Sequence, residues 1–461
     1  MSQYPIATVI LAAGQGSRMK SDLPKVLHPL AGRSMLAQLL AVVDALGPEK
    51  RIVVVSPDNG DAIRAAVPGL DIAIQASALG TGHAVMAARE NLAGFTGDVL
   101  VLFGDSPLVA AETLQAMLAA RHSDSDPAVV VMGFRPADTA QYARLMIDEN
   151  GDGNGNLSRI VEHRDANEAE RQTDLCNSGF MAIDGAILGQ LLDGLGTDNA
   201  KGEYYLTEIV EIASRLGRAC RVVEAGEIEA YGINSRDQLA QAEAVIQNRL
   251  RHRAMDVGVT LLDPDSVYFS HDTTLGRDVT VQPHVFFGPG VTVGDHVTIN
   301  GFSHLEGCQV AAGAVIGPFA RLRPEAEIGA GARIGNFVEI KKARIEDGAK
   351  VNHLSYIGDA RVGMGANIGA GTITCNYDGF LKAFTDIGKG AFIGSNTALV
   401  APVKVGDGAI VGAGSTITRE VAADALAVER SKQQERQGWA SSFRKRKAAE
   451  KAAQKRKTDK K

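Results

Sequence analysis

From about Val279 to Ile417 the aliphatic residues of this chain recur at every sixth position. Val310, Ile316, Leu322, Ile328, Ile334 and Ile340 form one unbroken series. The same step runs through Val279, Val285, Val291 and Val297 before it, and through Ile387, Ile393, Leu399, Val405, Val411 and Ile417 after it. A helix with a period of 3.6 would turn those side chains off a common face, and a two-sided strand requires alternation rather than one large residue in six. Small residues flank the series, as in Ile328-Gly329-Ala330-Gly331-Ala332 and Ile393-Gly394-Ser395, so the chain can bend tightly beside each buried aliphatic. The pattern predicts a hexapeptide-repeat parallel β-helix, with short strands stacked coil on coil around an aliphatic column. A Gly-rich sandwich would show alternation and irregular turns instead. The step slips to five between Ile340 and Ile345 and between Ile357 and Val362, and lapses between Thr374 and Ile387. Loops can leave a solenoid at such interruptions, and chemistry collects there.

The first half follows another pattern. Apolar runs of strand length lie at 6–12, 51–55, 72–75, 99–103 and 128–133, separated by turn-rich or helix-like stretches such as 113–121. This alternation predicts an α/β domain, a mostly parallel, Rossmann-like sheet with helices on both faces. Residues 235–255 contain no Gly or Pro, and Leu239, Ala242, Val245, Ile246 and Leu250 keep helical spacing, so a joining helix is expected with Ser235 as its N-cap. The expected organisation is an α/β domain over 1–230, a linker helix over 231–256, a β-helix over 257–430 and a terminal segment over 431–461.

At 461 residues the chain is too long for one ordinary core, in keeping with two domains. Its four cysteines (Cys176, Cys220, Cys308, Cys375) lack metal-ligand spacing, and no signal peptide or long apolar run occurs, so the expected setting is cytoplasmic and away from membranes. Net charge is −6, yet residues 444–461 carry ten Lys/Arg against two acids and leave −14 for the rest. Without interleaved aromatics that tail reads as a disordered, solubilising end rather than a nucleic-acid arm.

Candidate chemistry begins where the first strand ends. Leu11-Ala12-Ala13-Gly14-Gln15-Gly16-Ser17-Arg18-Met19, followed by Pro24-Lys25, is a Gly-rich turn with basic side chains at the C-terminal end of a strand, where α/β sheets bind phosphates. It has neither the dinucleotide fingerprint nor the P-loop lysine. Asp105 ends another strand in Phe103-Gly104-Asp105; a strand-end carboxylate near a phosphate loop suits Mg²⁺, and a turn-forming Asp before Pro107 is the plainer alternative.

Taken together, these strings with Gln75, Leu79-Gly80-Thr81-Gly82-His83-Ala84, Ile160-Val161-Glu162, Asn177-Ser178-Gly179, Gly202-Glu203-Tyr204-Tyr205-Leu206 and Asn234 resemble the sugar-1-phosphate nucleotidylyltransferases. With a β-helix following, residues 5–440 resemble the bacterial bifunctional N-acetylglucosamine-1-phosphate uridylyltransferase/glucosamine-1-phosphate acetyltransferases. That resemblance implies that Leu11, Ala12, Ala13, the Gly14–Gly16 loop, Arg18 and Lys25 hold UTP, while Gln75, Gly80 and Thr81 read the uracil. It implies Glu162, Asn177 and the backbone at Ala143 on the sugar, and Asp105 with Asn234 on Mg²⁺. Two departures stand out: Phe103 replaces the family's Tyr, losing a hydroxyl, and Ala143 replaces a Gly.

For the second half the matching strings are Arg321-Leu322-Arg323-Pro324, Asn336-Phe337-Val338-Glu339-Ile340-Lys341-Lys342 and Gly371-Thr372-Ile373-Thr374-Cys375-Asn376-Tyr377. The resemblance implies His353 as general base, Arg323, Lys341 and Tyr356 on the sugar phosphate, and Asn367 and Asn376 on the sugar, with Tyr377 in the same site. Ser395, Ala413 and Arg430 would line an acetyl-CoA site. It further implies a left-handed coil and a homotrimer. Glu339 is the expected orienter of His353, by analogy with a carboxylate bonded to one ring nitrogen. The implied function is two-step synthesis of UDP-N-acetylglucosamine, a precursor of peptidoglycan and lipopolysaccharide, from glucosamine 1-phosphate through N-acetylglucosamine 1-phosphate. Two alternatives remain at this level. One is a nucleotidylyltransferase whose β-helix is structural or regulatory; the other is a non-catalytic nucleotide binder, against which Lys25, Asp105 and Asn234 together argue.

Overall fold

The structure is a computed structural model, which describes residues 4–139, 142–148 and 156–458. It comprises two compact units. The first takes in residues to Val257 together with Asp263–Thr273 and Phe287–Gly290, and the second takes in the remainder.

The first unit is built on a nine-stranded sheet with the spatial order Cys220–Glu224, Val129–Phe134, Cys176–Asp184, Asp98–Phe103, Ile6–Leu11, Lys50–Val55, Asp71–Ile74, and with Arg144–Asp148 and Asn156–Val161 attached beside Cys176–Asp184. Strands expected from apolar runs fall within a residue or so of these bounds. Cys176–Asp184 runs antiparallel to both neighbours in the main path, whereas the other pairs along that path are parallel. The central strands are buried on both faces: Ala7, Val9, Val99 and Val101 belong to one core, and Ile6, Ile10, Leu100 and Leu102 to the other. From Ile6–Leu11 the chain winds outward to Lys50–Val55 and Asp71–Ile74, then returns to the opposite side at Asp98–Phe103. Leu11 and Phe103 are register partners at the crevice this reversal opens, which is where open α/β sheets bind ligands.

A helix at Arg236–Asp256 is capped by the Ser235 side chain, as expected. It is not a free linker, and the domain boundary expected at 230 moves to 257. Ala242 and Ile246 pack with Leu30, Ala31, Met35, Leu108 and Ile233 in a third core of this unit. Further along the helix, Gln247 forks onto the backbone of Phe269, donating from Nε2 to the carbonyl at 2.7 Å and accepting from the N–H at 2.8 Å. A fragment ending at residue 257 is therefore expected to melt at a higher temperature than one ending at 230. Equal melting temperatures by calorimetry would show that the helix adds nothing to the unit.

The second unit is a left-handed parallel β-helix. Its strands stack in register, for instance Ile299 on Ile316 and Ile316 on Ile334. The aliphatic series is buried throughout, with one refinement. Val279, Val285, Val291 and Val297 are buried, yet they lie two residues before the strand column, which is filled there by Val281, Val293, Ile299 and Leu305. Their own column continues in Ala314, Ala332, Ala349 and Ala366, each accepting a backbone hydrogen bond from the coil before it. Both columns share the six-residue step, so periodicity alone does not separate them.

At the lapse after Thr374 a loop leaves the coil, with Tyr377 and Lys382 bridged antiparallel and Phe380 91% and Leu381 73% exposed. Another apolar feature runs along one corner, where His284, Phe302, Phe319 and Phe337 stack at centroid distances of 4.8, 5.0 and 5.2 Å. All four hold positive φ, and Leu354 continues the row.

The tail differs from its expectation. Trp439–Thr458 is a helix rather than a disordered end, and the last three residues lie outside the described ones. From Arg444 to Lys457 only Ala, Lys, Arg, Glu and Gln occur, all good helix formers, and Lys447 pairs with Glu450 at 2.7 Å. No described helix is long and apolar enough to cross a membrane.

Candidate active sites

The crevice beside Leu11 and Phe103 is a cleft of about 430 Å³ lined by Leu11, Ala12, Ala13, Gly14, Lys25, Gln75, Gly80, Thr81, Phe103, Asp105 and Glu162, so eleven of the expected residues meet there. Backbone geometry explains the glycines. Gly16 has φ +63°, and a Cβ on it would come within 2.7 Å of the Lys25 Cβ. The Lys25 stem therefore lies directly against the Gly-rich loop. Gly80 has φ +104°, and a Cβ there would meet the Tyr204 carbonyl at 2.6 Å. The Leu79–Gly82 turn is laced to the 204–206 segment, with Tyr204 N–H donating to Leu79 O at 2.8 Å and Leu206 N–H donating to Thr81 Oγ1 at 3.1 Å. Gln75 Nε2 donates to Gly80 O at 3.0 Å, which leaves its carbonyl oxygen for a ligand.

Opposite the loop, Lys25 Nζ donates to the Asp105 carboxylate and, at 2.9 Å, to Asn234 Oδ1. The three come from the turn after the first strand, the end of the fourth and the entry to the long helix, and only tertiary folding joins them. Arg18 lies in an adjoining cleft with Phe103, Asp105, Tyr142 and Asn234. Glu162 accepts from Thr207 Oγ1 at 3.3 Å, and burial pushes its carboxyl above the usual range. Asn177 lines neither cleft: its Oδ1 accepts from Gly179 N–H at 2.9 Å, and its own N–H donates to the carbonyl of buried Ala143 at 2.9 Å. Phe103 packs against Gly179, where a Cβ would approach the ring to 2.5 Å.

In the β-helix, His353 Nδ1 is 2.7 Å from Asn336 Oδ1. An amide oxygen only accepts, so Nδ1 carries the proton and the Nε2 lone pair is left exposed as the basic site. Glu339 is not the orienter. It accepts instead from Arg323 Nη1 at 2.7 Å. The reason is register: parallel stacking pairs Asn336 with His353 and Glu339 with Tyr356, so the residue beside the histidine is the one a full coil earlier.

Arg323 also crowds Lys341, whose ammonium is held below its usual range first by Arg323 and then by Lys382. A cluster of cations that repel one another is a site for an anion. Tyr356 folds its ring over Gly358, where a Cβ would sit 2.4 Å from the hydroxyl, and Gly358 is the register partner of Lys341. Asn376 is buried and donates to Asp359, Tyr377 is exposed at the loop, and Asn367 sits on the His353 sheet in register with Lys350. One coil further on, Arg430 Nη1 donates to Ala413 O at 2.8 Å and Gly414 N–H donates to Ser395 O at 2.8 Å, which stacks those three expected residues together.

Comparison with known proteins agrees with both halves. The MobA-like NTP transferase domain family matches residues 8–162, and the bacterial transferase hexapeptide family (six repeats) matches 307–342 and 384–419. The chain is 59% identical to the bifunctional protein GlmU of Paramagnetospirillum magneticum, over 98% of this chain and 99% of that one. It is 60% identical to the GlmU of Rhodospirillum rubrum over 95% and 97%, and 54% identical to that of Sphingopyxis alaskensis over 97% and 99%. The chain belongs to the bifunctional GlmU family.

Against that family background, two groups of residues were given no role by the sequence reading. Glu203 and Tyr205 line the cleft beside Leu11 and Phe103, within the Gly202-Glu203-Tyr204-Tyr205 string that carried part of the resemblance, and Lys201, which also lines it, lies just before that string. Asn336 was passed over although it lies seventeen residues before His353, the length of one coil wherever the six-residue step slips to five.

Proposed function

We propose that the two sites divide one synthesis between them, with the residues acting as follows. The chain is a bifunctional transferase that makes UDP-N-acetylglucosamine. Its β-helix half acetylates glucosamine 1-phosphate, and its α/β half joins the product to UMP from UTP with release of pyrophosphate. The observation that carries the residue assignment is the convergence of Lys25, Asp105 and Asn234 beside a Gly-rich loop at the switch point of the sheet.

In the α/β half, the Gly14–Gly16 loop with the backbone of 11–13, Arg18 and Lys25 would hold the triphosphate, and the Gln75 carbonyl with the Gly80–Thr81 turn would read the uracil edge. Glu162, Asn177 and the Ala143 backbone would receive the sugar. Asp105 and Asn234 offer two hard oxygen donors converging on one cation position, which suits Mg²⁺. Mg²⁺ takes few protein ligands and keeps water and phosphates for the rest. When bound, Mg²⁺ neutralises charge on the phosphates. The protein's own part is to hold the sugar phosphate oxygen in line with the α-phosphorus, which needs no covalent intermediate.

In the β-helix half, Arg323, Lys341 and the Tyr356 hydroxyl would anchor the sugar phosphate, Asn367, Asn376 and Tyr377 would position the sugar, and His353 Nε2 would take the amine proton. Ser395, Ala413 and Arg430 would receive acetyl-CoA. Incubation with UTP, Mg²⁺, acetyl-CoA and glucosamine 1-phosphate, following free thiol and pyrophosphate together, tests the whole reading. Thiol release without pyrophosphate, or the reverse, would sink it.

A homotrimer is part of this proposal. Two observations support a neighbouring copy beside His353: the exposed Phe302, Phe319, Phe337, Leu354 row reaches the residue next to the histidine, and Phe380 and Leu381 stand out on the loop. Rows of exposed aromatics of this kind mark interaction faces. Phe319→Ser is expected to shift the trimer toward monomer in sedimentation velocity and to lower acetyl transfer in parallel. A fully active monomer would remove the neighbour from the site.

A further inference from the structure

We propose that Lys25 is a stand-in cation: in the ligand-free enzyme its ammonium fills the position between Asp105 and Asn234, and it gives that position to the divalent metal when an incoming triphosphate draws it away. This rests on the reading of Asp105 and Asn234 as the metal pair.

The geometry carries the argument. One Nζ is shared by the Asp105 carboxylate and by Asn234 Oδ1 at 2.9 Å, so both oxygen donors already point at a single cation. Asn234 is turned inward by bonds that do not involve Lys25. Its N–H donates to Gln238 Oε1 at 2.8 Å, and its Nδ2 donates to Gly232 O at 3.3 Å. The Asn234 donor is therefore held in place with the lysine gone, and the Asp105 backbone is tied to the same segment by Ile233 N–H, which donates to its carbonyl at 2.8 Å. Water does little of the neutralising, because the Lys25 side chain is 11% exposed and that of Asp105 19%.

A divalent ion and an ammonium cannot share that point. Three positive charges would then face one carboxylate, and their repulsion in a partly buried site exceeds anything the neutral Asn234 amide returns. Metal entry thus requires Lys25 to leave, and the loop offers it a destination. Its stem lies against the backbone at Gly16, so rotation about its terminal torsions carries Nζ toward the 11–16 loop, where the phosphates are expected, without moving the main chain. A triphosphate that attracts Lys25 uncovers the metal position, and a metal in that position frees Lys25 for the phosphates. Each ligand then binds more tightly when the other is present, by the same factor. The free enzyme meanwhile keeps Asp105 paired and resists metal without nucleotide.

The test is Mn²⁺ binding to the full-length protein, followed by the electron paramagnetic resonance of free Mn²⁺, with and without UTP. Wild type should bind Mn²⁺ weakly alone and more tightly with UTP. Lys25→Met should bind Mn²⁺ without nucleotide at least ~5-fold more tightly than wild type, the lower end of ordinary site-to-site coupling, and the further gain on adding UTP should be smaller than in wild type by the same factor, since the phosphates still coordinate the metal. Asp105→Asn introduced into the Lys25→Met protein should abolish the gain. Lys25→Gln serves as a second variant, and melting curves identify any variant that has not folded. If both folded Lys25 variants bind nucleotide-free Mn²⁺ no more tightly than wild type, while Asp105→Asn still weakens UTP-assisted binding, the stand-in idea fails and the metal pair stands. If Asp105→Asn leaves UTP-assisted Mn²⁺ binding unchanged, the metal pair itself is wrong and the stand-in falls with it.

Discussion

His353→Ala is expected to lower acetyl transfer by ~10²–10⁴-fold, the range for losing a general base, while uridylyl transfer to ready-made N-acetylglucosamine 1-phosphate stays intact. The amine of glucosamine 1-phosphate is largely ammonium near neutral pH and has no lone pair until a base removes its proton. His353 Nε2 is exposed at the interruption of the coil, and the Asn336 contact at 2.7 Å keeps the ring proton on Nδ1. The loss should shrink as pH rises toward the amine's own pKa, because solvent then does the deprotonation. Asn336→Ala should give a smaller defect of the same pH dependence, since the imidazole would remain but turn freely. Glu339→Gln should instead raise KM for the sugar phosphate, because it loosens Arg323. Normal acetyl transfer in His353→Ala, or a defect constant across pH, would make the histidine structural.

Lys25→Ala is expected to cost uridylyl transfer roughly 10²–10⁴-fold, the scale of removing one preorganised charge from a phosphoryl-transfer site. The ammonium would stabilise negative charge gathering on the pyrophosphate as it leaves. Acetyl transfer should survive, as the two sites belong to separately packed units. Assay of both activities on one preparation decides the matter. A parallel fall in both would indicate misfolding, and an unchanged uridylyl rate would remove Lys25 from the site. A charge-preserving Lys25→Arg should recover little, because a planar guanidinium does not fit the gap between Asp105 and Asn234 that a compact ammonium fills.

Much of this architecture is written in local sequence. The hexad column from Val310 to Ile340 could only be buried by stacking coils, and each slip to five residues marked where the coil shortens. The apolar runs at 6–12 and 99–103 located two sheet strands to within a residue, because a strand buried on both faces must be continuously apolar. The Gly14–Gly16 turn and the Gly80 turn were visible too, since at Gly16 and Gly80 the backbone takes positive φ with no room for a Cβ. Their meaning as a nucleotide cleft came through resemblance to a family rather than through spacing.

Tertiary structure decided the rest, and in each instance the cause is a contact between segments far apart in the chain. The 236–256 helix has the composition of a linker, but Leu30, Met35 and Leu108 bury its apolar stripe, and that moved the first unit's boundary to 257. Two apolar columns with the same six-residue step could be told apart only when coils were set in register, since a shared period carries no phase. The partner of His353 was decided likewise: side-chain type favoured Glu339, whereas parallel pairing seventeen residues apart delivered Asn336 and gave the carboxylate to Arg323. The meeting of Lys25, Asp105 and Asn234 spans 209 residues of chain, and no local pattern encodes a distance that only the closed sheet and the docked helix create.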